Sequence, residues 1–342
     1  MSRNAIRARG LAVLSVLFVL VTLLAPGSPA RAATTSTPSH EGLATYCLVT
    51  RAAPDHERTI HVPRGVGEIL LHLTRSYRGA CADYGQTKPR GDGTLTAYSQ
   101  SERGRPTAVG LVMSRDVLQG LPHHPPTDGK WCYDKDGDGS IDQMTECADG
   151  YESQLALSDR SQAESPFTYL LVNWNPMGHP PGGVYDSPHF DIHFYLGDPA
   201  QRQTIRTGPC GELVDCDDFE LGKKLPDARY YPGDFEFTGA VAPGMGTHLI
   251  DLTAPEFHGS PFTHTWIYGT WNGDLTFYEP MVTKDWFDGL VDGSRQDECF
   301  PIKQPQAFQQ EGYYPTRYCL RYRDNRHEAT ASVEGFVHRE AS

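Results

Sequence analysis

Apolar and polar residues alternate with a period of two in many short stretches of this chain. In residues 188–196 (PHFDIHFYL) the alternation places Phe190, Ile192 and Phe194 on one face and polar side chains on the other. Such alternation predicts β-strands, and Gly, Pro and Asn-Gly or Asp-Gly pairs separate the stretches. The predicted strands are 67–77, 93–100, 107–114, 167–174, 188–196, 234–241, 263–271 and 274–282.

Two local signals add a helix and a turn to these strands. Ser114 is a suitable N-cap for one helix over 114–121, and Asn272 with Gly273 predicts a tight hairpin turn because both residues tolerate positive φ. The chain is also rich in turn residues, with 34 glycines and 26 prolines. We therefore predict a single mainly β (β-rich α+β) domain over 46–339, with antiparallel sheets that form a barrel or a sandwich and few short helices.

The N-terminal residues have the pattern of an export signal. Three arginines precede an apolar run at 11–24, and Ala30 and Ala32 stand at the small positions before a cleavage site. The pattern predicts a secretory signal peptide over 1–32, followed by a flexible polar tether over 33–45. A retained membrane anchor is the alternative, but the run is short against the roughly 20 residues that a span needs. We expect a secreted, extracellular protein without membrane insertion after cleavage.

The charge of the chain limits its partners. The formal net charge is −13, and the predicted signal peptide holds four arginines and no acidic residue. The chain after cleavage is therefore more acidic, at −17. It lacks the basic surface that nucleic-acid binding needs, and anionic lipid would repel it. We expect neither nucleic acid nor a membrane as a partner.

All eight cysteines follow the predicted signal peptide. An even number of cysteines in an exported chain predicts a fold stabilised by disulfides. Their local clustering favours pairing between neighbours, although the sequence alone leaves the connectivity open. Since no C-x-x-C motif occurs, redox catalysis is not expected. The favoured pairs are Cys47 with Cys81, Cys132 with Cys147, Cys210 with Cys216, and Cys299 with Cys319.

Residues 134–146 have the spacing of a calcium-binding loop inserted into the domain. Carboxylates at alternate positions converge on one cation in such loops, and Gly139 supplies the sharp turn. Position twelve is Thr145 in place of the usual bidentate Glu, which weakens the expected affinity or moves the last ligand. A solvated acidic turn is the alternative interpretation. The predicted calcium ligands are Asp134, Asp136, Asp138, Ser140, Asp142 and Glu146.

The polar face of residues 188–196 predicts a pocket or cleft that binds a metal ion or a ligand. On a regular strand His189 and His193 are about 13 Å apart, so one ion cannot bind both. An ion could bind two neighbours on the strand with a third ligand from elsewhere, for example His189, Asp191 and His248. Such a set suits a transition metal such as zinc. Histidines that brace loops around a polar pocket are the alternative. The predicted pocket residues are His179, His189, Asp191, His193, His248 and His264.

Four blocks of the sequence, at 93–122, 171–196, 245–257 and 261–283, resemble the successive blocks of one bacterial family. The block GHPP…PHFDIHFY is the most specific of them. The family is a domain family of unknown function typified by a sigma-E-regulated hypothetical protein of Thermus. The resemblance covers roughly residues 91–283 and implies an exported, mainly β protein that assembles into homo-oligomers. It implies no activity and no catalytic residues.

Two classes of function are compatible with the sequence. The first, which we favour here, is a binding or structural protein of the cell envelope or extracellular space, with calcium as a brace. The second is a metal-dependent enzyme that uses His189, Asp191 and His193 with His248 or His264. No motif supplies a nucleophile with its base, and Glu279 is discounted because strand carboxylates are usually exposed. A third metal ligand that converges in space would favour the enzyme.

Overall fold

The structure, a computed structural model, describes residues 42–148 and 150–342. The predicted signal peptide and residues 33–41 of the predicted tether lie outside the described residues. The first strand begins at Leu43, so residues 43–45 belong to a sheet and not to a tether. The reason is backbone pairing, since Leu43 pairs with Pro63 of the next strand.

Antiparallel strands dominate the described residues. The five α-helices among them are short: α1 (Arg64–Leu73), α2 (Asp159–Glu164), α3 (Pro199–Arg202), α4 (Cys216–Gly222) and α5 (Lys284–Asp292). The strands are β1 (Leu43–Thr50), β2 (Ala53–Pro63), β3 (Tyr77–Arg78), β4 (Asp83–Arg90), β5 (Gly93–Glu102), β6 (Arg105–Ser114), β7 (Tyr151–Ala156), β8 (Tyr169–Asn175), β9 (His189–Tyr195), β10 (Thr207–Cys210), β11 (Phe235–Ala242), β12 (Gly246–Asp251), β13 (His264–Trp271), β14 (Asp274–Thr283), β15 (Glu298–Pro301), β16 (Gly312–Tyr314), β17 (Arg317–Arg323), β18 (Glu328–Glu334) and β19 (Val337–Arg339).

Two large sheets form the body of the fold. A seven-stranded sheet has the order β11-β12-β13-β14-β9-β8-β7, and a six-stranded sheet has the order β15-β17-β18-β6-β5-β4. Both sheets are open, and both contribute side chains to one shared core. A three-stranded sheet, β2-β1-β3, and a two-stranded sheet, β16-β19, complete the fold. The predicted mainly β, antiparallel fold is confirmed, and the arrangement corresponds to its sandwich alternative.

Strand β9 shows how the period-two pattern produces the core. Phe190, Ile192 and Phe194 have no exposed surface and lie in the core shared by the two large sheets. The opposite face of β9 is also buried, with His189 at 0% and Asp191 at 4% exposure. A second apolar layer of loop and strand residues covers that face. The polar stripe is therefore enclosed, and any ligand must enter through an opening in this layer.

One of the predicted local elements is wrong, one is present in shorter form, and one is confirmed. Residues 67–77 do not form one strand, because Val66, Ile69, Leu70 and Leu73 recur at helical spacing and form α1. The predicted helix at 114–121 is a 3-10 helix at Arg115–Leu118. The predicted hairpin turn at 272–273 joins β13 to β14, and both of its residues have positive φ.

The four disulfides join the pairs that the spacing favours: Cys47–Cys81, Cys132–Cys147, Cys210–Cys216 and Cys299–Cys319. Four disulfides fit a protein of an oxidising, extracellular environment.

None of the helices in residues 42–148 and 150–342 is long and apolar enough to cross a membrane.

Candidate metal centre

A cavity of about 400 Å³ lies on the face of the seven-stranded sheet that points away from the shared core. Strands β9, β12, β13 and β14 contribute to its floor. The segment after β8, the residues between Cys210 and Cys216, and the end of the predicted calcium loop contribute to its walls. The cavity therefore combines polar groups from the sheet with chain segments held by two disulfides.

The polar face of β9 contributes to two groups of potential metal ligands. His189 and Asp191 lie with His179, which comes from the segment after β8. His193 lies with His248 of β12 and with Glu279 of β14. In each group the ligand atoms are within 4.8 Å of one another. The structure thus separates His189 from His193, as strand geometry requires, and pairs His248 with His193 instead of with His189 and Asp191.

The first group is centred on the Asp191 carboxylate. Its Oδ1 is 3.1 Å from His189 Nε2, and its Oδ2 is 3.4 Å from His179 Nε2. Asn175 Nδ2 donates a hydrogen bond of 2.6 Å to Oδ2. The other ring nitrogens, Nδ1 of His189 and Nδ1 of His179, donate to the carbonyls of Ser187 and Pro180 at 2.6 and 2.7 Å. Because a carbonyl only accepts, both histidines carry a proton on Nδ1.

Charge pairing stabilises this first group. Burial alone would lower the pKa of His179, but the nearby charge of Asp191 and the hydrogen bond to it raise that pKa to about 9. Burial likewise opposes ionisation of Asp191, yet the two histidines hold its pKa well below the usual range. The first group is therefore balanced as a histidinium–aspartate pair at neutral pH.

The second group has a different charge state. Burial lowers the pKa of His193 to about 4 and that of His248 to about 3, so both rings are neutral at pH 7. His193 Nδ1 donates to the carbonyl of Leu171 at 3.1 Å, and its Nε2 lies 3.5 Å from Glu279 Oε1. His248 Nε2 lies 3.9 Å from the other oxygen of that carboxylate. Within the described residues, His193 Nε2 has no hydrogen-bond partner. Its lone pair faces a carboxylate oxygen.

His264 is not brought to either group. Side chains alternate along β13, so His264 lies on the core side with Trp266, whereas Ile267 lines the cavity. The His264 ring stacks on Phe300 with centroids 3.9 Å apart, and its Nδ1 is 2.6 Å from the Tyr318 hydroxyl. His264 is therefore a packing residue between the sheets and not a cavity residue.

The placement of His264 predicts an acid-sensitive stability. Burial, with a smaller effect of Arg295, lowers its pKa to about 4. Its neutral form is favoured in the folded state, so this contribution is complete above the unfolded pKa of about 6.5 and is lost as pH falls towards 4. When the pH is lowered from 7 to 4, we expect the free energy of unfolding of His264→Phe to rise by up to roughly 3 kcal/mol relative to that of wild type. Chemical denaturation at both pH values measures this. An equal gain in the exposed control His338→Phe would contradict the prediction.

Glu279 and Asn175 are site residues that sequence reasoning discounted or missed. Glu279 is 1% exposed and lies in the interior of β14, between Tyr278 and Pro280. A charged residue in the middle of the strand, with uncharged residues on both sides of it, was the available signal. Glu212 also lines the cavity, where burial raises its pKa, but its sequence surroundings carry no comparable signal.

The predicted calcium loop forms part of the cavity wall through Met144 and Thr145. The two carboxylate oxygens of Asp134 accept the N–H groups of Gly137 and Gly139 at 2.7 and 2.9 Å. Glu146 is 5% exposed and accepts backbone N–H groups from residues 135, 136 and 142. Glu146 therefore braces the loop from within. Calcium binding itself stays a prediction.

Calcium should stabilise the protein if the loop binds it. A ligand that binds only the folded state raises the melting temperature as its concentration rises. We expect this rise for wild type and its loss in Asp136→Ala, because Asp136 is a predicted ligand. Differential scanning calorimetry with calcium and with a chelator measures the effect. Identical melting curves of wild type in both conditions would indicate a solvated acidic turn. The control is Asp292→Ala, which removes an exposed acid elsewhere and should respond to calcium as wild type does.

A comparison of the chain with protein-family models, curated proteins and solved structures finds no match. The resemblance to the bacterial family of unknown function, and the homo-oligomer that it implies, therefore stay predictions.

Proposed function

We propose that this protein is an exported, metal-dependent enzyme that binds a transition-metal ion such as zinc at His193, His248 and Glu279. The proposal starts from the observation that His, Asp and Glu side chains form groups able to bind a metal. A third ligand from a different strand joins the histidine of β9, which favours the enzyme over the binding or structural alternative.

The observation that carries the proposal is the orientation of His193. Its Nδ1 donates to the Leu171 carbonyl, so its lone pair is on Nε2, 3.5 Å from a Glu279 oxygen. Two acceptors at this distance repel unless a proton or a metal cation lies between them, and a metal ion bound by both groups would satisfy them together. A ring that donates the N–H of one nitrogen to a backbone carbonyl, and offers its other nitrogen to the ion, is also the usual arrangement of a metal-bound histidine.

The donor set supports zinc and a catalytic role. Two imidazoles and one carboxylate are ligands typical of zinc, and a site with three protein ligands keeps a position for water or substrate. When bound there, the ion supplies Lewis-acid chemistry and lowers the pKa of a coordinated water, as hydrolysis requires. His248 and Glu279 both line the cavity, so a metal ion held by them would be accessible from it.

Other cavity residues suit the binding of a small, largely apolar substrate. Met245, Ile267 and Met281 offer apolar surface for its body. His179 and Asp191 line the same cavity, and the His179 side chain is 31% exposed. A histidinium there can donate a hydrogen bond to a polar substrate atom and stabilise negative charge that develops on it. We infer hydrolysis as the reaction class.

Metal analysis of the purified protein tests the proposal. We expect wild type to bind one zinc ion per chain at this site. Loss of a group that only hydrogen-bonds a metal ligand weakens binding about 10–100-fold, so we expect His193→Ala, which removes a ligand, to weaken it by at least this much. His338→Ala, which removes a partly exposed histidine from a surface group, is the matched control and should bind like wild type.

A catalytic assay completes the test. We expect hydrolysis of a model ester such as para-nitrophenyl acetate to be lost with a chelator and restored by zinc in wild type, but not in His193→Ala. Zinc binding that is unaffected by His193→Ala and His248→Ala would refute the site. Binding without any metal-dependent hydrolysis across a panel of esters, amides and phosphoesters would refute the enzyme.

A further inference from the structure

A second cavity, of about 840 Å³, lies on the face of the six-stranded sheet that points away from the shared core. One wall comes from β17, and the other comes from α1, β3 and the chain around them. We name it the arginine cleft after the six arginines that line it: Arg51, Arg75, Arg78, Arg317, Arg321 and Arg323.

The charge of the arginine cleft is opposite to that of the chain. The chain as a whole is strongly acidic, with a net charge of −13. In the arginine cleft the six arginines outnumber the acidic residues, which are Glu68, Asp297, Asp324 and Glu334. A concave surface lined by one sign of charge raises the local concentration of ions of the other sign. The surplus of guanidinium groups over carboxylates in the arginine cleft therefore favours anions there more than the acidic chain as a whole does.

Two arginines of β17 share one carboxylate. Tyr318 and Leu320 face the core, so the alternating residues Arg317 and Arg321 face the cleft. Arg321 donates to Glu334 Oε2 at 3.0 Å, and Arg317 lies 3.4 Å from the same oxygen. One negative charge thus serves two guanidinium groups, and Arg317 keeps most of its donors available.

Some of the cleft arginines are engaged in the fold. Arg323 lies over the Tyr77 ring at 4.5 Å and donates to Glu328 at 3.0 Å. Arg78 pairs with Glu68 at 2.7 Å. These contacts hold the wall in place, and nearby carboxylates already balance the charges of both arginines.

Arg75, on the wall formed by the chain after α1, differs from these two. Among the described residues, its side chain has no acidic partner within ion-pair distance, and the same holds for the exposed Arg51. The arginine cleft therefore presents under-compensated guanidinium groups from both walls, Arg75 on one and Arg317 on the other.

We propose that the arginine cleft binds a small ligand that carries carboxylate, sulfate or phosphate groups, held by Arg75 and Arg317. The planar guanidinium fork matches the paired oxygens of such groups and binds them bidentately. The proposal is independent of the metal-dependent function, because the two cavities lie on opposite large sheets with the shared core between them.

Titration calorimetry with sodium sulfate, sodium phosphate and sodium citrate, at an ionic strength held constant with sodium chloride, tests the proposal. We expect saturable binding of at least one of the three anions, which identifies the oxyanion class. Arg75→Ala and Arg317→Ala should each weaken it about tenfold or more, as for a lost hydrogen bond to a charged group. Arg58→Ala removes an exposed arginine outside the cleft and should leave the affinity unchanged.

Lysine variants at the same positions separate binding from folding. Arg75→Lys and Arg317→Lys keep the charge and lose the fork, so we expect folded proteins with an affinity between those of wild type and the alanine variants. Absence of saturable binding of all three anions would overturn the proposal. It would also be overturned if the cleft variants and Arg58→Ala weakened binding equally, since that result indicates non-specific screening.

Discussion

Phe194→Ala is expected to lower the free energy of unfolding by about 3–5 kcal/mol, the range for a large aromatic residue replaced by Ala in a core. Phe194 has no exposed surface, and its ring contacts the Phe167 ring edge-on with centroids 5.7 Å apart. The loss combines the transfer free energy of the ring with an empty volume that two packed sheets cannot close. Guanidinium denaturation under oxidising conditions measures it.

The matched control is Leu73→Ala on α1. Leu73 is 67% exposed, so its truncation should change the free energy of unfolding by less than about 0.5 kcal/mol. A loss below roughly 1 kcal/mol for Phe194→Ala would mean that the apolar face of β9 does not lie in the core. The burial of the opposite, histidine-bearing face would then also be in doubt.

Glu152→Ala is expected to cost about 3–5 kcal/mol, because it leaves a buried guanidinium without its counter-ion. Arg202 of α3 is 4% exposed, and its Nη1 donates to Glu152 Oε1 at 2.9 Å. Trp131 Nε1 donates to the same oxygen at 3.1 Å, and Lys130 pairs with the other. The variant should therefore also loosen the chain that leads into the predicted calcium loop.

Glu220→Ala is the control for this prediction, since Glu220 pairs with Lys223 at the surface, where ion pairs contribute little. The effect of Glu152 should depend on pH. Burial opposes its ionisation, but Arg202 and Lys130 hold its pKa below the ordinary value of 4.5. Its contribution is therefore present above that value and is lost as pH falls through the folded pKa. Equal losses of stability in the two variants would contradict a buried, structural role for Glu152.

Seven of the eight strands predicted from local patterns coincide with strands of the structure, and the physical reason is burial; the other twelve strands of the described residues were not predicted. Phe190, Ile192 and Phe194 can be buried together only if β9 keeps one register, since a slip of one residue would exchange its faces. The turn at Asn272 and Gly273 is equally local, because it depends on two residues that adopt positive φ. Such features need no knowledge of the neighbouring strands.

The composition of the candidate site could not be predicted in the same way. His248 and Glu279 reach His193 because β12 and β14 belong to the same sheet as β9, and the strand order depends on pairing between distant parts of the chain. His264 shows the limit of spacing arguments. It occurs in a promising motif, but the alternation of β13 turns it towards the core. Short apolar runs such as α1 are ambiguous between helix and strand until their partners are known.

The eight cysteines of this chain are bonded in four consecutive pairs, the first with the second, the third with the fourth and so on, so no disulfide loop contains or crosses another. The bonded pairs are only 34, 15, 6 and 20 residues apart. An exported chain emerges from its translocation channel with the N-terminus first. Each cysteine therefore meets its native partner before a competing thiol arrives, and the short loops make that encounter the most frequent one. For the exported chain that we propose, we expect an oxidase acting during translocation to suffice for correct pairing, without a disulfide isomerase.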